Sequence, residues 1–221
     1  MASRPTPMTA LPPLYPIIDA ELSADQGWDV PAVAEAMMRG GARLVQLRAK
    51  SASSAVVLAW AEALVALGAR YGATVVVNDR ADLAFLAGAG GVHVGQDDLP
   101  AAAARRIVGP EAVVGLSTHS LTQFEAALDE PISYAAVGPV YPTGTKAEAD
   151  AVLGLALVEQ AAGRAGGMPG IAVVAIGGIT LSRAPDVIAA GATAVAVISD
   201  LLVGGDPERR TAEFLEALEK A

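Results

Sequence analysis

TVVVNDRADLAFLAGAGGVHVGQDD, residues 74–98, contains the repeating unit that decides the fold. A short β-branched run, 74–77, ends in a polar cluster and is followed by a helix-like segment, 81–87. The next apolar run, 91–94, ends in a second polar cluster. Short apolar runs that alternate with helical segments are typical of parallel strands joined by crossover helices. The stretch therefore predicts two adjacent parallel strands whose polar ends lie at the same edge of a sheet.

The same unit recurs along the whole chain of 221 residues. The predicted strands are 14–18, 44–46, 74–77, 91–94, 113–116, 134–137, 172–176 and 194–198. The predicted helices are 30–39, 53–71, 81–87, 100–107, 121–128, 153–164, 182–189 and 207–218, with Ser53 and Ser182 as candidate N-caps. Eight such units predict an α/β fold, a single-domain (β/α)₈ TIM barrel over residues 14–221. The proline-rich residues 1–13 are predicted to form a flexible N-terminal leader.

Composition excludes several classes of protein. Hydrophobic residues make up 53% of the chain and charged residues 18%, which is typical of a folded domain. The 15 basic and 24 acidic residues give a net charge of −9, so we expect no general binding to nucleic acid or to a membrane surface. The absence of cysteine excludes disulfides and thiolate chemistry, and it is compatible with a cytoplasmic location. Charge, Gly or Pro interrupts every apolar stretch before about 20 residues, so no membrane span is predicted.

Polar residues follow seven successive predicted strands, from the second to the eighth. They are Gln46, Arg48 and Lys50; Asn78, Asp79 and Arg80; Gln96, Asp97 and Asp98; Ser117, Thr118 and His119; Thr143, Gly144, Thr145 and Lys146; Gly177 and Gly178; and Ser199. Catalytic groups of a TIM barrel lie at the C-terminal ends of its strands, so these residues are expected to share one mouth. Two of the three lysines of this acidic chain, Lys50 and Lys146, are among them. The pattern indicates a site for small phosphorylated substrates.

Gln46, Arg48 and Lys50 alternate with apolar residues and would share one face of a continued strand. Arginine offers a planar fork of donors to phosphate oxygens, and lysine offers a point charge. The alternative is a solvated strand end with ordinary surface ion pairs. The loop 143–146 and the pair Gly177–Gly178 could likewise surround an anion with hydroxyl and N–H donors, or form plain surface loops.

Asp79 and Asp98 follow adjacent predicted strands and could together hold a divalent cation. Mg²⁺ typically takes one or two protein carboxylates and completes its shell with substrate phosphates and water. Asp97 competes with Asp98 for the role of second ligand. The alternative is that these carboxylates cap helices, because Asp79 precedes a predicted helix and Asp98 lies just before Pro100.

The two histidines receive different interpretations. His93 lies within an apolar run and is predicted to be a hydrogen-bonded, inward-facing core residue, whereas His119 follows a strand and is the better candidate for chemistry. Ser117 and His119 could suggest a hydrolase pair. No G-x-S-x-G elbow surrounds Ser117, which argues against a nucleophilic serine.

Taken in order, these motifs resemble those of the thiamine phosphate synthase family, from about Leu14 to Leu202. The similar motifs are QLRAK (46–50, the family's Q-L-R-x-K), NDR (78–80), GVHVGQDD (91–98), STH (117–119), GPVYPTGTK (138–146) and AIGGI (175–179). The resemblance implies a TIM-barrel transferase that joins hydroxymethylpyrimidine diphosphate to hydroxyethylthiazole phosphate, or its carboxylated form. The products would be thiamine phosphate and pyrophosphate, formed by a Mg²⁺-assisted dissociative substitution that needs no protein nucleophile.

The resemblance also implies a role for each matching position. The pyrimidine diphosphate would be held by Gln46, Arg48, Lys50, Asn78, Ser117 and Lys146. The thiazole phosphate would be held by Thr143, Thr145, Gly178, Ile198 and Ser199. Asp79 and Asp98 would bind Mg²⁺. Arg48, Lys50, Lys146 and Ser117 would be the catalytic residues, because the difficult step is the departure of pyrophosphate from a methylene that becomes cationic.

Two other functions remain open at this point. A thiazole tautomerase of the same barrel family would move a proton on the thiazole phosphate, with His119 as its acid–base candidate. A non-catalytic barrel that senses a phosphorylated metabolite would keep the anion donors without needing two metal-binding carboxylates. The sequence also leaves open whether the chain forms a homo-oligomer.

Overall fold

Eight parallel strands, each paired with the next in chain order, close into a barrel where the last strand pairs with the first. The computed structural model describes residues 11–144, 152–166 and 170–221. The strands are β1 Leu14–Asp19, β2 Leu44–Arg48, β3 Thr74–Asn78, β4 Gly91–Val94, β5 Val113–Thr118, β6 Tyr134–Val137, β7 Ala172–Ile176 and β8 Ala194–Val197. The predicted (β/α)₈ barrel is thereby confirmed, with shifts of one or two residues at some strand ends.

Helices connect the strands on the outside of the barrel. They are α1 Ala20–Asp25, α2 Val30–Arg39, α3 Ser54–Tyr71, α4 Ala81–Ala87, α5 Ala101–Val108, α6 Leu121–Ala127, α7 Gly154–Ala165, α8 Ala184–Ala189 and α9 Pro207–Leu218. A 3₁₀ segment, Ser199–Gly205, follows β8 and is kinked at its end. The eight predicted helices are present, while α1 and the 3₁₀ segment were not predicted.

The two predicted N-caps have different outcomes. Ser53 accepts a hydrogen bond from the amide of Val56 and caps α3, as predicted. The prediction for Ser182 is wrong, because α8 begins after Arg183 and that position makes no side-chain cap bond. The Ser182 hydroxyl is instead 3.1 Å from that of Thr180.

The barrel has two apolar layers because successive strand residues face opposite sides. On β1, Leu14 and Ile18 pack outward under the helices, whereas Tyr15 and Ile17 pack inward. The inward layer fills the barrel interior and includes Tyr15, Ile17, Leu44, Val76, Val113, Tyr134, Ala136, Val174, Ala194 and Ala196. This filled interior forms the floor on which a site at the C-terminal mouth is built.

By length and composition alone, α3 could cross a membrane, with a mean hydropathy of 1.3. Its buried residues are Val57, Ala61, Leu64 and Gly68, which recur every three or four positions. This spacing places the buried residues on one face of the helix. This face packs in the outer apolar layer, and the helix contacts β3 and its neighbours α2 and α4.

Residues 11–13 lie against the base of the barrel. Leu11 packs on the inward layer, and the carbonyl of Pro13 accepts a hydrogen bond of 2.9 Å from the amide of Val195. The remainder of the predicted leader, residues 1–10, lies outside the described residues.

The guanidinium of Arg105 binds the loops at the N-terminal end of the barrel. Its Nε donates to the carbonyl of Pro131 at 3.0 Å, and its Nη1 donates to the carbonyls of Gly109 and Pro110 at 3.2 and 3.1 Å. Nη1 also donates to the carbonyl of Ala112. Burial lowers the pKa of this guanidinium, which shows that desolvation is the dominant influence on it. One side chain therefore joins the loops that precede β5 and β6.

We expect Arg105→Lys to lower the free energy of unfolding by about 2 kcal/mol, because an ammonium cannot reach several carbonyls that a planar fork binds together. Urea unfolding followed by circular dichroism measures the change. Arg106→Lys, at the exposed neighbouring position, serves as the matched control and should change stability by less than about 0.5 kcal/mol. Equal stability of the two variants would contradict the role given to Arg105.

Candidate active site

A cavity of about 450 Å³ opens at the C-terminal ends of the strands. Its polar wall comes from residues at the ends of β2, β3, β4 and β5. Its apolar wall consists of Ile17, Ala136, Val174, Ile176, Ala196 and Ile198. A site with one charged and one apolar side suits a ligand that carries both a phosphate and an organic ring.

The cavity brings together most of the residues that the sequence singled out. Its lining includes Gln46, Arg48, Lys50, Asn78, Asp79, Asp97, Asp98, Ser117, His119 and Ile198. Thr143, Gly178 and Ser199 are described but do not line it. Thr145 and Lys146 lie outside the described residues. The lining also contains Tyr15, His93, Gly95, Gln96 and Tyr134, of which the two tyrosines carried no signal in the sequence.

Asp79 lies in a tight turn at the end of β3. Its φ of 63° is unusual for a residue other than glycine, although aspartate tolerates this region better than most. The turn is closed by hydrogen bonds of 2.7 Å from the Asp79 amide to the His93 carbonyl and from the Arg80 amide to the Asn78 carbonyl. The Asp79 carboxylate is thereby fixed at the rim of the cavity.

Asp79 and Asp98 face each other across the ends of β3 and β4. Burial raises the pKa of the Asp79 carboxyl, the ammonium of Lys50 opposes this shift, and the nearby Asp98 carboxyl adds to it. The Lys50 Nζ lies 2.8 Å from Asp79 Oδ2, and Asp98 Oδ2 accepts a 2.7 Å hydrogen bond from the amide of Gly95. The direct interaction between Asp79 and Asp98 favours Asp98 over Asp97 as the second member of the pair.

The helix-capping alternative for these carboxylates is wrong. The N-cap position of α4 is Arg80, and that of α5 is Pro100, neither with a side-chain cap bond. Within the described residues, no group of three or more His, Cys, Asp or Glu side chains forms a candidate metal cluster. A cation held here by two carboxylates would therefore complete its shell with water and ligand oxygens, as Mg²⁺ commonly does.

Arg48 is held in the cavity by Asp19, a residue that the sequence did not single out. The Arg48 guanidinium donates to Asp19 Oδ2, and Asp19 Oδ1 accepts a 3.0 Å hydrogen bond from the amide of Leu22 at the start of α1. The side chain of Asp19 is 5% exposed and that of Arg48 is 18% exposed, so this is not a solvated surface pair. The short helix α1 thus fixes the carboxylate that orients Arg48.

A chain of hydrogen bonds crosses the floor of the cavity. The Gln46 Nε2 donates to the Tyr15 hydroxyl at 2.9 Å, and the Tyr134 hydroxyl donates to that of Tyr15 at 3.0 Å. His93 then joins Tyr134 to Ser117, with its Nδ1 2.9 Å from the Tyr134 hydroxyl and its Nε2 2.8 Å from the Ser117 Oγ. We call these five side chains the floor network. His93 is buried and hydrogen-bonded inside the barrel, as predicted.

The loops after β6 and β7 pack against each other beside the apolar wall. Gly178 has a φ of 62°, and a Cβ at this position would lie 2.4 Å from the carbonyl oxygen of Pro142. The Gly178 carbonyl accepts a 2.9 Å hydrogen bond from Arg183, whose guanidinium carbon lies 4.6 Å from the centre of the Tyr141 ring.

His119, at the end of β5, contacts the start of the loop after β6. Its Nδ1 lies 2.8 Å from the carbonyl oxygen of Gly138.

A (β/α)₈ barrel whose C-terminal mouth combines cations, amides and facing carboxylates defines a TIM-barrel enzyme for small phosphorylated substrates. Residues 14–201 match the model of the thiamine monophosphate synthase (TMP-TENI) family, and the chain belongs to this family. The thiamine-phosphate synthase of Koribacter versatilis is 43% identical over 211 residues, which cover 94% of this chain and 96% of that protein. The thiamine-phosphate synthase of Acidothermus cellulolyticus is 42% identical over 194 residues, covering 87% and 90%.

A solved structure gives the same result. The thiamine phosphate pyrophosphorylase from Pyrococcus furiosus superposes with a TM-score of 0.81 at 30% identity, covering 94% of this chain and 95% of that one. The family resemblance inferred from six short motifs is therefore confirmed over nearly the whole barrel.

Proposed function

We propose that this chain is a thiamine-phosphate synthase. It joins hydroxymethylpyrimidine diphosphate to hydroxyethylthiazole phosphate and releases pyrophosphate. One observation supports this most strongly: within the part of the chain that the structure describes, the residues proposed to bind the pyrimidine diphosphate and its metal share a single cavity. These residues are Gln46, Arg48, Lys50, Asn78, Asp79, Asp98 and Ser117.

The proposed reaction breaks the bond between the pyrimidine methylene carbon and the bridging diphosphate oxygen. The electron pair leaves with pyrophosphate, and the methylene becomes a cation that the electron-rich aminopyrimidine ring stabilises. The thiazole nitrogen then supplies the pair for the new carbon–nitrogen bond. Arg48 and Lys50 are proposed to stabilise the negative charge that develops on the leaving group. Fixed cations in a partly buried site are effective in this role because they need no reorganisation during the reaction.

The residues at the ends of β3 and β4 fit a magnesium ion. Burial raises the pKa of the Asp79 carboxyl and the nearby Asp98 carboxyl raises it further, so this partly buried pair disfavours two uncompensated negative charges. Asp79 and Asp98 would hold Mg²⁺, which when bound would neutralise diphosphate oxygens and ease their departure. Lys50 lies against the same carboxylate and would bring its own charge to the diphosphate.

The thiazole phosphate is proposed to bind on the other side of the cavity. Ile198 belongs to the apolar wall, and Thr143, Gly178 and Ser199 belong to segments that follow β6, β7 and β8. Backbone amides and hydroxyls at these strand ends commonly bind phosphate in TIM barrels. The roles of Thr145 and Lys146 rest on the family resemblance.

A thiazole tautomerase is the second candidate, since His119 lines the cavity as that function would need. Two observations favour the synthase. A proton transfer on a monophosphate does not need the facing carboxylates Asp79 and Asp98, and the aligned relatives are named thiamine-phosphate synthases. A non-catalytic phosphate sensor would likewise have no need of these carboxylates.

We expect the purified protein, with Mg²⁺ and both substrates, to form thiamine phosphate and pyrophosphate in equal amounts. Chromatography with fluorescence detection of thiochrome measures the first product, and a coupled phosphate assay with pyrophosphatase measures the second. Tautomerised thiazole phosphate without any thiamine phosphate would instead identify the protein as the tautomerase. Binding of substrates without either product would favour the sensor.

A further inference from the structure

We propose that Tyr15, Tyr134 and His93 are positioning residues that hold Gln46 and Ser117 in the orientation needed to bind the pyrimidine. The proposal rests on the proposed function, since it concerns the same cavity. Gln46 and Ser117 form the two ends of the floor network, and the three proposed residues join them across the barrel. The network acts as one unit, so the loss of a hydrogen bond at its centre changes the orientation of both Gln46 and Ser117.

The floor network places polar side chains inside an otherwise apolar barrel interior. Tyr15, Tyr134 and Gln46 are at most 2% exposed, and His93 is 9% exposed. Their neighbours in the inward layer are aliphatic, so the fold fills this space elsewhere without polar groups. A buried polar network is tolerated only when its members are hydrogen-bonded, and the members of the floor network bond one another across the barrel. A function at the cavity explains their presence better than packing does.

Contacts between the rings prevent the network from relaxing. The His93 and Tyr134 rings stack with their centres 5.6 Å apart and planes 13° apart. The Tyr15 ring meets that of Tyr134 edge-on, with centres 5.7 Å apart and an interplanar angle of 87°. Stacked and edge-on arrangements are the preferred geometries of aromatic pairs. Each ring therefore limits the rotation of the next.

Gly115 provides the space that the network occupies. A Cβ at this position would lie 2.1 Å from Cζ and 2.3 Å from the hydroxyl of Tyr134, and 2.6 Å from His93 Nδ1. Gly115 is two residues before Ser117 on β5, so both face the barrel interior. Strand β5, which carries Ser117, thus leaves room for the rings of Tyr134 and His93.

The network determines which atoms are turned toward the ligand. The amide nitrogen of Gln46 is bound to Tyr15, which sets the orientation of the Gln46 side chain at the wall of the cavity. The Ser117 hydroxyl is bound to His93, so its rotation is restricted too. Burial raises the pKa of both tyrosines, which therefore remain neutral hydroxyls. An amide and a hydroxyl held in this way suit the polar edge of an aminopyrimidine.

Tyr134→Phe tests the proposal because it removes one oxygen from the centre of the network and keeps the ring. We expect the KM for the pyrimidine diphosphate to rise about tenfold, the order expected from lost hydrogen-bonded positioning, with less than a twofold change in the KM for the thiazole phosphate. Tyr71→Phe is the matched control, since its hydroxyl donates to Glu35 at 2.8 Å on the outside of the barrel. Equal changes in both KM values, or none, would overturn the proposal.

A double-mutant cycle tests whether His93 acts through Ser117. We expect His93→Phe to raise the KM for the pyrimidine diphosphate about tenfold in the native background and less than twofold in a Ser117→Ala background. Independent effects that multiply would show that His93 does not act through Ser117. Thermal melting of each variant establishes that the folded fraction is the same at the assay temperature.

Calorimetric binding of the pyrimidine diphosphate, with Mg²⁺ and without the thiazole partner, separates this proposal from the proposed function. If the native protein binds the diphosphate but forms no product, the proposed function fails. The positioning role is then still tested, because Tyr134→Phe should bind the diphosphate more weakly than the native protein does. If Tyr134→Phe binds the diphosphate as tightly as the native protein does, the positioning role is overturned. If the native protein does not bind the diphosphate, both proposals are overturned.

Discussion

Asp79→Asn is expected to abolish Mg²⁺-dependent turnover, with a loss of kcat of about 10³-fold. Removing one of two carboxylates that would hold the metal leaves the diphosphate without its main charge neutralisation in the transition state, an effect of about 4 kcal/mol. Asparagine has almost the same shape and also tolerates the positive φ of 63° at this position. The loss would therefore report the missing charge and not a strained turn. Initial rates measured over a Mg²⁺ titration provide the test.

The same substitution should raise the melting temperature of the metal-free protein. Burial is the main cause of the raised pKa of the Asp79 carboxyl and Asp98 adds to it, although the ammonium of Lys50 opposes both. Because the net shift is upward, the surroundings disfavour the charge on Asp79, and a neutral side chain there should stabilise the fold. Mg²⁺ should raise the melting temperature of the native protein and have little effect on the variant. Asp82→Asn is the matched control, because Asp82 lies three residues away and pairs with Arg80 on the outside. Native turnover in Asp79→Asn would remove Asp79 from the metal site.

The sequence predicted the fold well because the signal for a parallel barrel is local. The strands are short apolar runs, and polar residues follow seven of the eight, so these residues mark the mouth wherever the strand lies in the barrel. Asp79 and Asp98 could be paired from sequence for the same reason, since β3 and β4 are neighbours in both chain and space. The choice between Asp97 and Asp98 needed coordinates, because it depends on which side chain reaches Asp79.

The parts that sequence reasoning missed depend on contacts between distant residues. Tyr15 and Tyr134 are 119 positions apart, and each looks like an ordinary core residue in its own strand. Asp19 lies just after the first predicted strand and carried no signal of its own, and the six-residue helix it caps is too short to give a periodic pattern. The wrong N-cap at Ser182 has a local origin instead, since the Ser182 hydroxyl lies against that of Thr180 and the helix starts two residues later.

Arg48→Ala is expected to lower kcat/KM for the pyrimidine diphosphate by about 10²- to 10³-fold. Its guanidinium is held on the cavity wall by Asp19, so its position is set before the ligand binds. A preorganised cation near a leaving group that gains charge is typically worth about 3–4 kcal/mol. Arg48→Lys should recover only a small part of the activity, because an ammonium can neither reproduce the fork nor keep the same bond to Asp19.

Arg80→Ala separates this effect from a general loss of positive charge at the mouth. Arg80 follows the neighbouring strand β3, but its guanidinium donates to Asp82 and to the Ser54 hydroxyl on the outside of the barrel. We therefore expect Arg80→Ala to retain kcat/KM within about threefold, since surface ion pairs contribute little. Steady-state assays of Arg48→Ala, Arg48→Lys and Arg80→Ala at equal ionic strength make the comparison. If Arg48→Ala and Arg80→Ala lose activity equally, the mouth attracts the diphosphate through its overall charge, and the specific placement of Arg48 by Asp19 is without consequence.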